Sequence, residues 1–381
     1  MESTASVHTR QFRIHLFLAF LIDISVGIIT VAIPLHLTTL DISSMEFGLI
    51  IGAASIGALL IKIPLGILSD KIGKKPLIYL GFLILFISNA FFPLYPDTIP
   101  YLRIAQGLAI SLIWVPLTAL FMETFRETGK IAYFSGAFML GFLTGNLLGG
   151  LLPQFVGFTS TFLLSAGIIV LCVYILSCID NPEVVIVKTD TGNKSNFSQL
   201  INAWLLGVSN VAALTIFLSF IPLFASRQLN YSPGQVGLLI FLEGITYVLL
   251  VVPMGRKADE IGKFRLLLMG NAGTLVVFSI FYFSNTFIEL AFASIMFGSI
   301  SALILPSTMS LAGESMSNKG KAMGIFQTSH DIGALIGPAL AGAISAVFTI
   351  RHAFLAVIPI ILLSFVLIII LSRKSKSKLI K

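Results

Sequence analysis

Two charged residues, Asp23 and Arg103, stand inside long apolar stretches of this sequence. A charge at the centre of a membrane-spanning helix costs about 2.5–3.5 kcal/mol on insertion scales, so it needs a partner or a water-filled cavity. A carboxylate held there can bind and release a proton, and a neighbouring arginine affects that equilibrium according to its distance. We therefore interpret Asp23 and Arg103 as candidate proton-coupling residues. A permanently paired structural carboxylate is the alternative for Asp23.

The elements that position these residues are predicted to be membrane-spanning helices. Only 11% of the residues are charged and 56% are hydrophobic, whereas a soluble domain has about 25% charged residues. Twelve apolar stretches each approach the ~20 residues that cross a bilayer. Their predicted bounds are roughly 12–37, 46–69, 76–95, 98–124, 130–155, 158–179, 200–226, 232–254, 264–284, 286–313, 321–348 and 350–372.

The distribution of basic residues predicts the orientation of these spans. With the N-terminus inside, twenty of the 24 Lys and Arg residues fall on the cytoplasmic side, and only Arg227 and Arg351 fall outside. This asymmetry is what the positive-inside rule describes. We expect a multi-pass protein of the plasma membrane with both termini in the cytoplasm. The net charge of +7 then reflects topology and lipid headgroups, and no nucleic-acid partner is expected.

The chain contains an internal repeat. The loop motif Gly66-x-x-x-Asp70-x-x-Gly73-Lys74 returns as Gly255-x-x-x-Asp259-x-x-Gly262-Lys263, and Ile33-Pro34-Leu35 returns as Ile221-Pro222-Leu223. Six spans per copy make this a parallel repeat, related by an axis along the membrane normal. We predict an N-terminal six-helix bundle at 1–179, a cytoplasmic linker at 180–199, and a C-terminal six-helix bundle with a basic tail at 200–381. The fold class is all-α, with twelve transmembrane helices in two bundles related by pseudo-two-fold symmetry.

Several of these motifs resemble those of the major facilitator superfamily. The loop that contains Asp70 is similar to its loop 2–3 motif, and Arg103-x-x-Gln106-Gly107 is similar to the fourth-span motif of its proton-coupled members. The fifth span resembles that of its drug:proton antiporters, with Gly141, Gly145, Asn146, Gly149 and Gly150, although Asn146 stands where the family usually has Pro. The eleventh span carries the related set Gly333, Gly337, Pro338 and Gly342.

The resemblance implies roles for these residues. Asp23, Arg103, Gln106, Gly107, Trp114 and Asn210 are expected to line the substrate cavity. The residues expected to form a cytoplasmic gate are Gly66, Asp70, Gly73, Lys74, Arg126, Gly255, Asp259 and Gly262. In this gate Asp70 is expected to latch the halves with Arg126 as its partner, and a topological anchor is the alternative role for the loop. The glycine-rich fifth and eleventh spans are expected at the interface between the halves, where small residues let helices approach closely. The roles of Lys62, Glu243 and Asp331 stay open.

These patterns favour a secondary transporter that exports a small, amphipathic or drug-like compound by proton antiport and alternating access. A proton-coupled symporter or a metabolite or sugar permease is the alternative, and a non-transporting sensor or scaffold is a third interpretation. An enzyme is not expected, because the five His are scattered and no metal spacing, nucleophile motif or P-loop occurs. We expect no cofactor or metal, and a protein that functions as a monomer with a small-molecule substrate, protons and lipid as its partners.

Overall fold

The regular elements of the described residues are helices. A computed structural model describes residues 4–94, 96–125, 128–179, 196–316 and 319–378. Its α-helices are α1 (Thr4–Thr38), α2 (Ser44–Ile72), α3 (Lys74–Phe91), α4 (Ile99–Thr124), α5 (Thr128–Ser177), α6 (Phe197–Arg227), α7 (Pro233–Ile261), α8 (Lys263–Phe283), α9 (Phe287–Glu314), α10 (Lys319–Val347) and α11 (Val357–Lys378). Two short 3₁₀ helices, Pro96–Thr98 and Ile350–Ala356, precede α4 and α11.

Eleven helices in the described part of the chain are long and apolar enough to span a membrane. The sequence predicts twelve spans, and the difference arises at Gly157 inside α5. There the backbone is non-helical, with φ 78° and ψ 168°, a region that glycine enters without a Cβ clash. The residues on either side of Gly157 correspond to the fifth and sixth predicted spans, which continue into one another without an intervening loop.

The chain separates into two compact units. Unit 1 contains residues 1–40, 53–187 and 232–238, and unit 2 contains residues 41–52, 188–231 and 239–381. The start of α2 therefore groups with unit 2, and the start of α7 groups with unit 1. The predicted bundles at 1–179 and 200–381 differ from these units chiefly by these two short segments, and the predicted linker bounds stay a prediction because most of 180–199 lies outside the described residues.

Unit 1 is held together by close helix crossings and buried apolar clusters. Leu65 of α2, Leu77 of α3 and Leu112 of α4 form one buried cluster. The first part of α5 lies along α1, and its second part supplies Phe162, whose ring lies 5.0 Å from that of Phe92. Such packing replaces the hydrophobic driving force that is absent between helices in lipid.

Unit 2 also has a buried apolar core. Leu206 of α6, Leu267 of α8, Ile304 of α9 and Phe326 of α10 belong to one buried cluster. A second group of buried rings lies nearer the other end of the unit, where Phe217, Phe278, Phe281, Phe297 and Phe354 contact one another at centroid distances of 5.3–6.4 Å. Leu206 and Phe217 lie on α6, so these contacts fix the helix that carries Asn210.

The two repeated loops turn in the same way. Gly73 precedes α3 with φ 89°, and Gly262 precedes α8 with φ 99°. Both values lie in the left-handed region that favours glycine. The repeat seen in the sequence therefore recurs as the same sharp turn between consecutive helices in both halves of the chain.

Much of the outer surface is apolar. Ile288, Phe155 and Val347 expose three quarters or more of their side chains, at 79%, 75% and 75%. Exposed apolar area on this scale is suited to lipid contact, since soluble proteins rarely carry large contiguous apolar patches.

Candidate functional site

Asp23 lies in the middle of α1, where this helix crosses α5. Its side chain is buried, with 5% exposed. A Cβ added to Gly141 would lie 3.1 Å from the Cβ of Asp23, and one added to Gly145 would lie 3.0 Å from the Asp23 carbonyl oxygen. No ion pair joins Asp23 to a cation among the described residues. The carboxyl group therefore lies in a tightly packed, mostly apolar crossing, where a permanent negative charge is costly.

Arg103 begins a chain of hydrogen bonds through the interior of unit 1. Its Nη1 donates to Oε1 of Gln106 at 2.9 Å, and Nε2 of Gln106 donates to Oδ1 of Asn89 at 2.9 Å. Asn89 Nδ2 donates to Oγ of Ser165 at 2.9 Å, and the hydroxyl groups of Ser165 and Ser25 lie 2.8 Å apart. We call these five residues the polar chain.

The polar chain connects four helices. It runs from α4 to α3, then to the second part of α5, and ends on α1 at Ser25, two residues from Asp23. Asn89, Gln106, Ser165 and Ser25 are fully buried, each with 0% exposed. A direct Arg103–Asp23 ion pair is absent from the described residues, so these hydrogen bonds are the described route that links the Arg103 side chain to the helix of Asp23.

The other expected cavity residues occupy different environments. Gly107 allows α4 to approach α2 closely, because a Cβ there would overlap the carbonyl oxygen of Ala54. Trp114 packs edge-on against Phe134 and Phe138 at 6.2 and 5.7 Å. Asn210 is 5% exposed on α6, and its Nδ2 makes no hydrogen bond to the described residues. Their contact with a substrate stays a prediction.

Sequence reasoning missed Asn89, Ser165 and Ser25. Each is a single small polar residue in an apolar span, which is the signal that could have drawn attention to it, since buried polar groups need hydrogen-bond partners. The partners themselves lie 76 and 140 residues apart in the chain. The spacing of neighbouring residues in the sequence cannot reveal contacts between residues so far apart.

The lysines of the first repeated loop tie the ends of helices within unit 1. Lys74 Nζ donates to both carboxylate oxygens of Glu123 at 2.7 Å, which joins the start of α3 to the end of α4. Lys75 donates to the carbonyl oxygen of Ile179, beyond the end of α5. A cation at this position also interacts favourably with the negative end of the helix dipole.

Part of the predicted cytoplasmic gate lies outside the described residues. Arg126 is one such residue, and the side chains of Asp70 and Asp259 are likewise outside, as is the burial of Gly66, although the backbones of these three residues belong to α2 and α7. Gly255 lies in α7, where a Cβ would meet no atom within 4 Å. The latch between Asp70 and Arg126 therefore stays a prediction.

The glycines of the fifth span contact α1 within unit 1. A Cβ on Gly141, Gly145 or Gly149 would overlap the carbonyl oxygen of Phe20, Ile24 or Ile28, respectively. Asn146 shares this crossing: it is 3% exposed, its backbone nitrogen faces Gly27, and its Oδ1 has no hydrogen-bond donor among the described residues. These residues thus form the close contact between α1 and α5. Their position at the interface between the two halves stays a prediction.

The eleventh span repeats this arrangement in unit 2. A Cβ on Gly333 would lie 2.6 Å from the carbonyl oxygen of Val208, and one on Gly337 would lie 2.7 Å from that of Ala212. Here α10 takes the place of α5, and α6 takes the place of α1. Val211 occupies the position that Asp23 has in unit 1, because its Cβ would lie 3.1 Å from a Cβ added to Gly333, as that of Asp23 would from one added to Gly141.

Two further glycine contacts involve the start of α7, which groups with unit 1, and the start of α2, which groups with unit 2. Gly150 of α5 lies against Gly237 at the start of α7, within unit 1. Gly342 and Pro338 of α10 lie against Gly48 at the start of α2, within unit 2. The sequence repeat pairs Gly48 with Gly237, so each unit contains the same contact.

A duplicated set of membrane-spanning helices with ionisable groups buried inside the spans defines a membrane transporter, in which such groups mark ion or substrate pathways. The chain belongs to the Major Facilitator Superfamily, whose profile matches residues 16–202 and 203–381. It is therefore a transporter and not an enzyme. Small-molecule substrates and a multi-pass membrane setting follow from the family, and the predicted fold class is confirmed.

Two relatives match nearly the whole chain. An uncharacterized MFS-type transporter of Methanocaldococcus jannaschii is 25% identical over 356 residues, covering 87% of this chain and 90% of that protein. The quinolone resistance protein NorA of Staphylococcus aureus is 24% identical over 392 residues, covering 97% of this chain and 98% of NorA.

Solved structures share the fold. The inward-facing, unoccupied structure of a bacterial homolog to the human lysosomal transporter Spinster has a TM-score of 0.80 at 13% identity and covers 96% of this chain and 97% of its own. The nucleoside transporter NupG has a TM-score of 0.71 at 14% identity and covers 95% of this chain and 98% of its own. At these identities the likeness concerns the fold.

Proposed function

We propose that this transporter exports a small amphipathic, drug-like compound in exchange for protons. The similarity to a quinolone resistance protein over 97% of the chain supports the substrate class. The antiporter-like glycines of the fifth span and the Arg103-x-x-Gln106-Gly107 motif support the coupling. We further propose that the protein lies in the plasma membrane with both termini in the cytoplasm and that it functions as a monomer.

The observation that carries the proposal is the buried Asp23. Its carboxyl group lies mid-span, 5% exposed, with no ion pair among the described residues. Such a group is stable in an apolar crossing when it is protonated and becomes costly when it is ionised. Ionisation is favourable only when the site opens to water or to a cationic substrate group. Asp23 would thereby link proton release to the conformation of the transporter.

Transport would proceed by alternating access. In the outward-facing state, protons from outside would neutralise Asp23 and release the substrate. In the inward-facing state, loss of the proton to the cytoplasm would restore the charge and favour binding of the next substrate molecule. The inward movement of each proton is favourable by about 2.3 kcal/mol per 100 mV of membrane potential. Asp70 and Arg126 would close the cytoplasmic side in the outward-facing state.

Arg103 would act on Asp23 through the polar chain. The guanidinium group orients Gln106, and the hydrogen bonds continue to Ser25 on α1. A shift of α1 that accompanies a change in the charge of Asp23 would strain these bonds. The polar chain would therefore make Arg103 sensitive to the state of Asp23 without direct contact.

Reconstituted protein tests the proposal. Proteoliposomes with an imposed pH gradient should accumulate a fluorescent amphipathic compound against its own gradient and opposite to the flow of protons. Asp23→Asn should abolish this uphill transport. Asp41→Asn is the matched control, because Asp41 is an exposed carboxylate of the same type, and it should transport at the wild-type rate.

A symporter is the second candidate, because Asn146 stands where the antiporter motif has Pro. Movement of substrate in the same direction as protons would establish symport and refute antiport. A wild-type rate for Asp23→Asn would remove Asp23 from the coupling mechanism in either case.

A further inference from the structure

We propose that Glu243 of α7 is a second proton-binding carboxylate, held in unit 2 at a helix crossing whose counterpart in unit 1 has no ionisable group. Whether Glu243 binds a proton does not depend on which substrate the protein transports or in which direction. Its contribution to transport rests on the proposed proton antiport. The site is separate from Asp23, Arg103 and the polar chain, all of which belong to unit 1.

Glu243 lies deep in the span and on the packed face of its helix. It is ten residues from Pro233, which places it about 15 Å along the helix axis, near the middle of a hydrocarbon core of about 30 Å. Leu239 and Ile240 precede it on the same face with 0% exposed, and Glu243 itself is 7% exposed. The residue therefore points away from lipid and cannot reach an interface by extending its side chain.

The backbone at Glu243 is in close contact with α9. A Cβ added to Gly298 would overlap the carbonyl oxygen of Glu243 and would lie 3.1 Å from the Cβ of Thr246. The hydroxyl of Thr246 donates to the carbonyl oxygen of Leu242 in its own helix. The hydroxyl proton of Thr246 is therefore already used in a hydrogen bond. This crossing offers Glu243 little hydrogen bonding that would stabilise a negative charge.

The internal repeat shows that the fold does not require this carboxylate. In unit 1, Gly107 of α4 lies against the carbonyl oxygen of Ala54 of α2, just as Gly298 lies against that of Glu243. The repeat aligns Ala54 with Glu243 at the offset of 189 that also relates Gly48 to Gly237. The same crossing is thus built once with Ala and once with Glu. A packing role alone does not explain an ionisable residue there.

The groups around Glu243 do not neutralise it. Among the described residues, Tyr247, one helical turn further along α7, is a titratable group close enough to interact electrostatically with Glu243. The described parts of α6, α8, α9 and α11 place no other titratable side chain in mid-span. In the described residues, α10 contributes His330 and Asp331, neither of which forms a hydrogen bond or ion pair with Glu243. An ionised Glu243 would therefore be costly in mid-span, and binding a proton removes this cost.

Infrared spectroscopy tests the protonation directly. The C=O stretch of a protonated carboxyl group is recorded for the purified protein in nanodiscs while the pH is raised from about 4 to about 10, a range in which exposed carboxylates lose their protons at the acidic end. We expect a carboxyl band that persists to neutral pH and above, and Glu243→Gln should remove one component of it. Asp23→Asn should remove a different component.

Two controls keep the test decisive. Glu243→Ala installs the residue that the other repeat carries at this crossing, so it should fold and should lose the same component as Glu243→Gln. Glu289→Gln removes an exposed carboxylate that accepts hydrogen bonds from the backbone N–H groups of Asn285 and Thr286, and it should leave the neutral-pH band unchanged.

The outcomes separate this inference from the proposed function. An unchanged band in both Glu243 variants would overturn it, whatever the transport assays show. Loss of the component together with failure of proton-driven transport in the wild type would retain the site and refute the antiport. If both hold, Glu243→Gln should reduce the number of protons exchanged per substrate by one, and an unchanged ratio would overturn the role of Glu243 in coupling.

Discussion

Replacement of Asn89 by Leu should destabilise unit 1 by interrupting the polar chain. Asn89 accepts a hydrogen bond from Gln106 and donates one to Ser165, each at 2.9 Å and each fully buried. Hydrogen bonds between membrane helices contribute about 0.6 kcal/mol on average and about 1.7 kcal/mol at most. Loss of the two bonds should therefore lower the free energy of unfolding by about 1–3 kcal/mol.

A double-mutant cycle isolates the contact between Asn89 and Gln106. If the two side chains are bonded as described, the coupling energy between Asn89→Leu and Gln106→Leu should be about 0.6–1.7 kcal/mol. Asn271→Leu is the matched control, because Asn271 is also buried, on α8, but donates to the carbonyl oxygen of Leu267 in its own helix. It should cost less than Asn89→Leu and should be additive with Gln106→Leu.

The distribution of tryptophan makes the measurement possible. The chain has two Trp residues, Trp114 in unit 1 and Trp204 in unit 2. Unfolding by sodium dodecyl sulfate in mixed micelles can therefore be followed in unit 1 alone by fluorescence in a Trp204→Phe background. The control Asn271→Leu lies in unit 2 and is followed there through Trp204 in a Trp114→Phe background. Additivity of Asn89→Leu and Gln106→Leu within about 0.3–0.5 kcal/mol would refute the polar chain.

Three further predictions follow from described contacts. Gly107→Ala should lower stability by about 1–3 kcal/mol, because the added Cβ would overlap α2. Gly167→Ala, whose Cβ would meet no atom within 4 Å, should be neutral or stabilising by up to about 1 kcal/mol. Thermal denaturation in detergent compares the two variants, and equal losses of stability would argue against the close contact between α4 and α2. Lys74→Met should cost at most about 1 kcal/mol, because the Lys74–Glu123 pair is partly exposed, and the cost should fall at high salt; a larger, salt-independent loss would contradict this interpretation. In a cysteine-free background, Lys194→Cys should react with an impermeant maleimide only from the cytoplasm and Gln228→Cys only from outside, and the reverse pattern would overturn the proposed topology.

The helices were largely predictable because the bilayer imposes their length and composition. The predicted span 98–124 corresponds to α4 at Ile99–Thr124, and 200–226 corresponds to α6 at Phe197–Arg227. Hydrophobicity reports the residues that contact lipid or apolar neighbours, and this information is local in the sequence. The break between the fifth and sixth spans falls at Gly157, between the predicted spans 130–155 and 158–179. The sequence did not show that no loop intervenes there, because a glycine is compatible with either a loop or a bend.

The contacts of the site were less predictable than its members. Asp23 and Arg103 are conspicuous because a charge in an apolar span is rare, but their environments depend on helices far away in the sequence. The polar chain passes through Asn89 and Ser165, which carry no charge and belong to no motif. The glycines of the fifth span indicate a close helix contact, but their spacing does not say which helix makes it, and in unit 1 that helix is α1.

The measurement that tests the central claim most directly is proton movement driven by substrate alone. Proteoliposomes that contain the pH-sensitive dye pyranine are prepared without a pH gradient, and an amphipathic substrate is then added to the outside. Antiport predicts that protons leave the compartment that the substrate enters, so the interior becomes more alkaline, and that Asp23→Asn removes this change. Substrate entry with no pH change, or with acidification of the interior, would contradict the account.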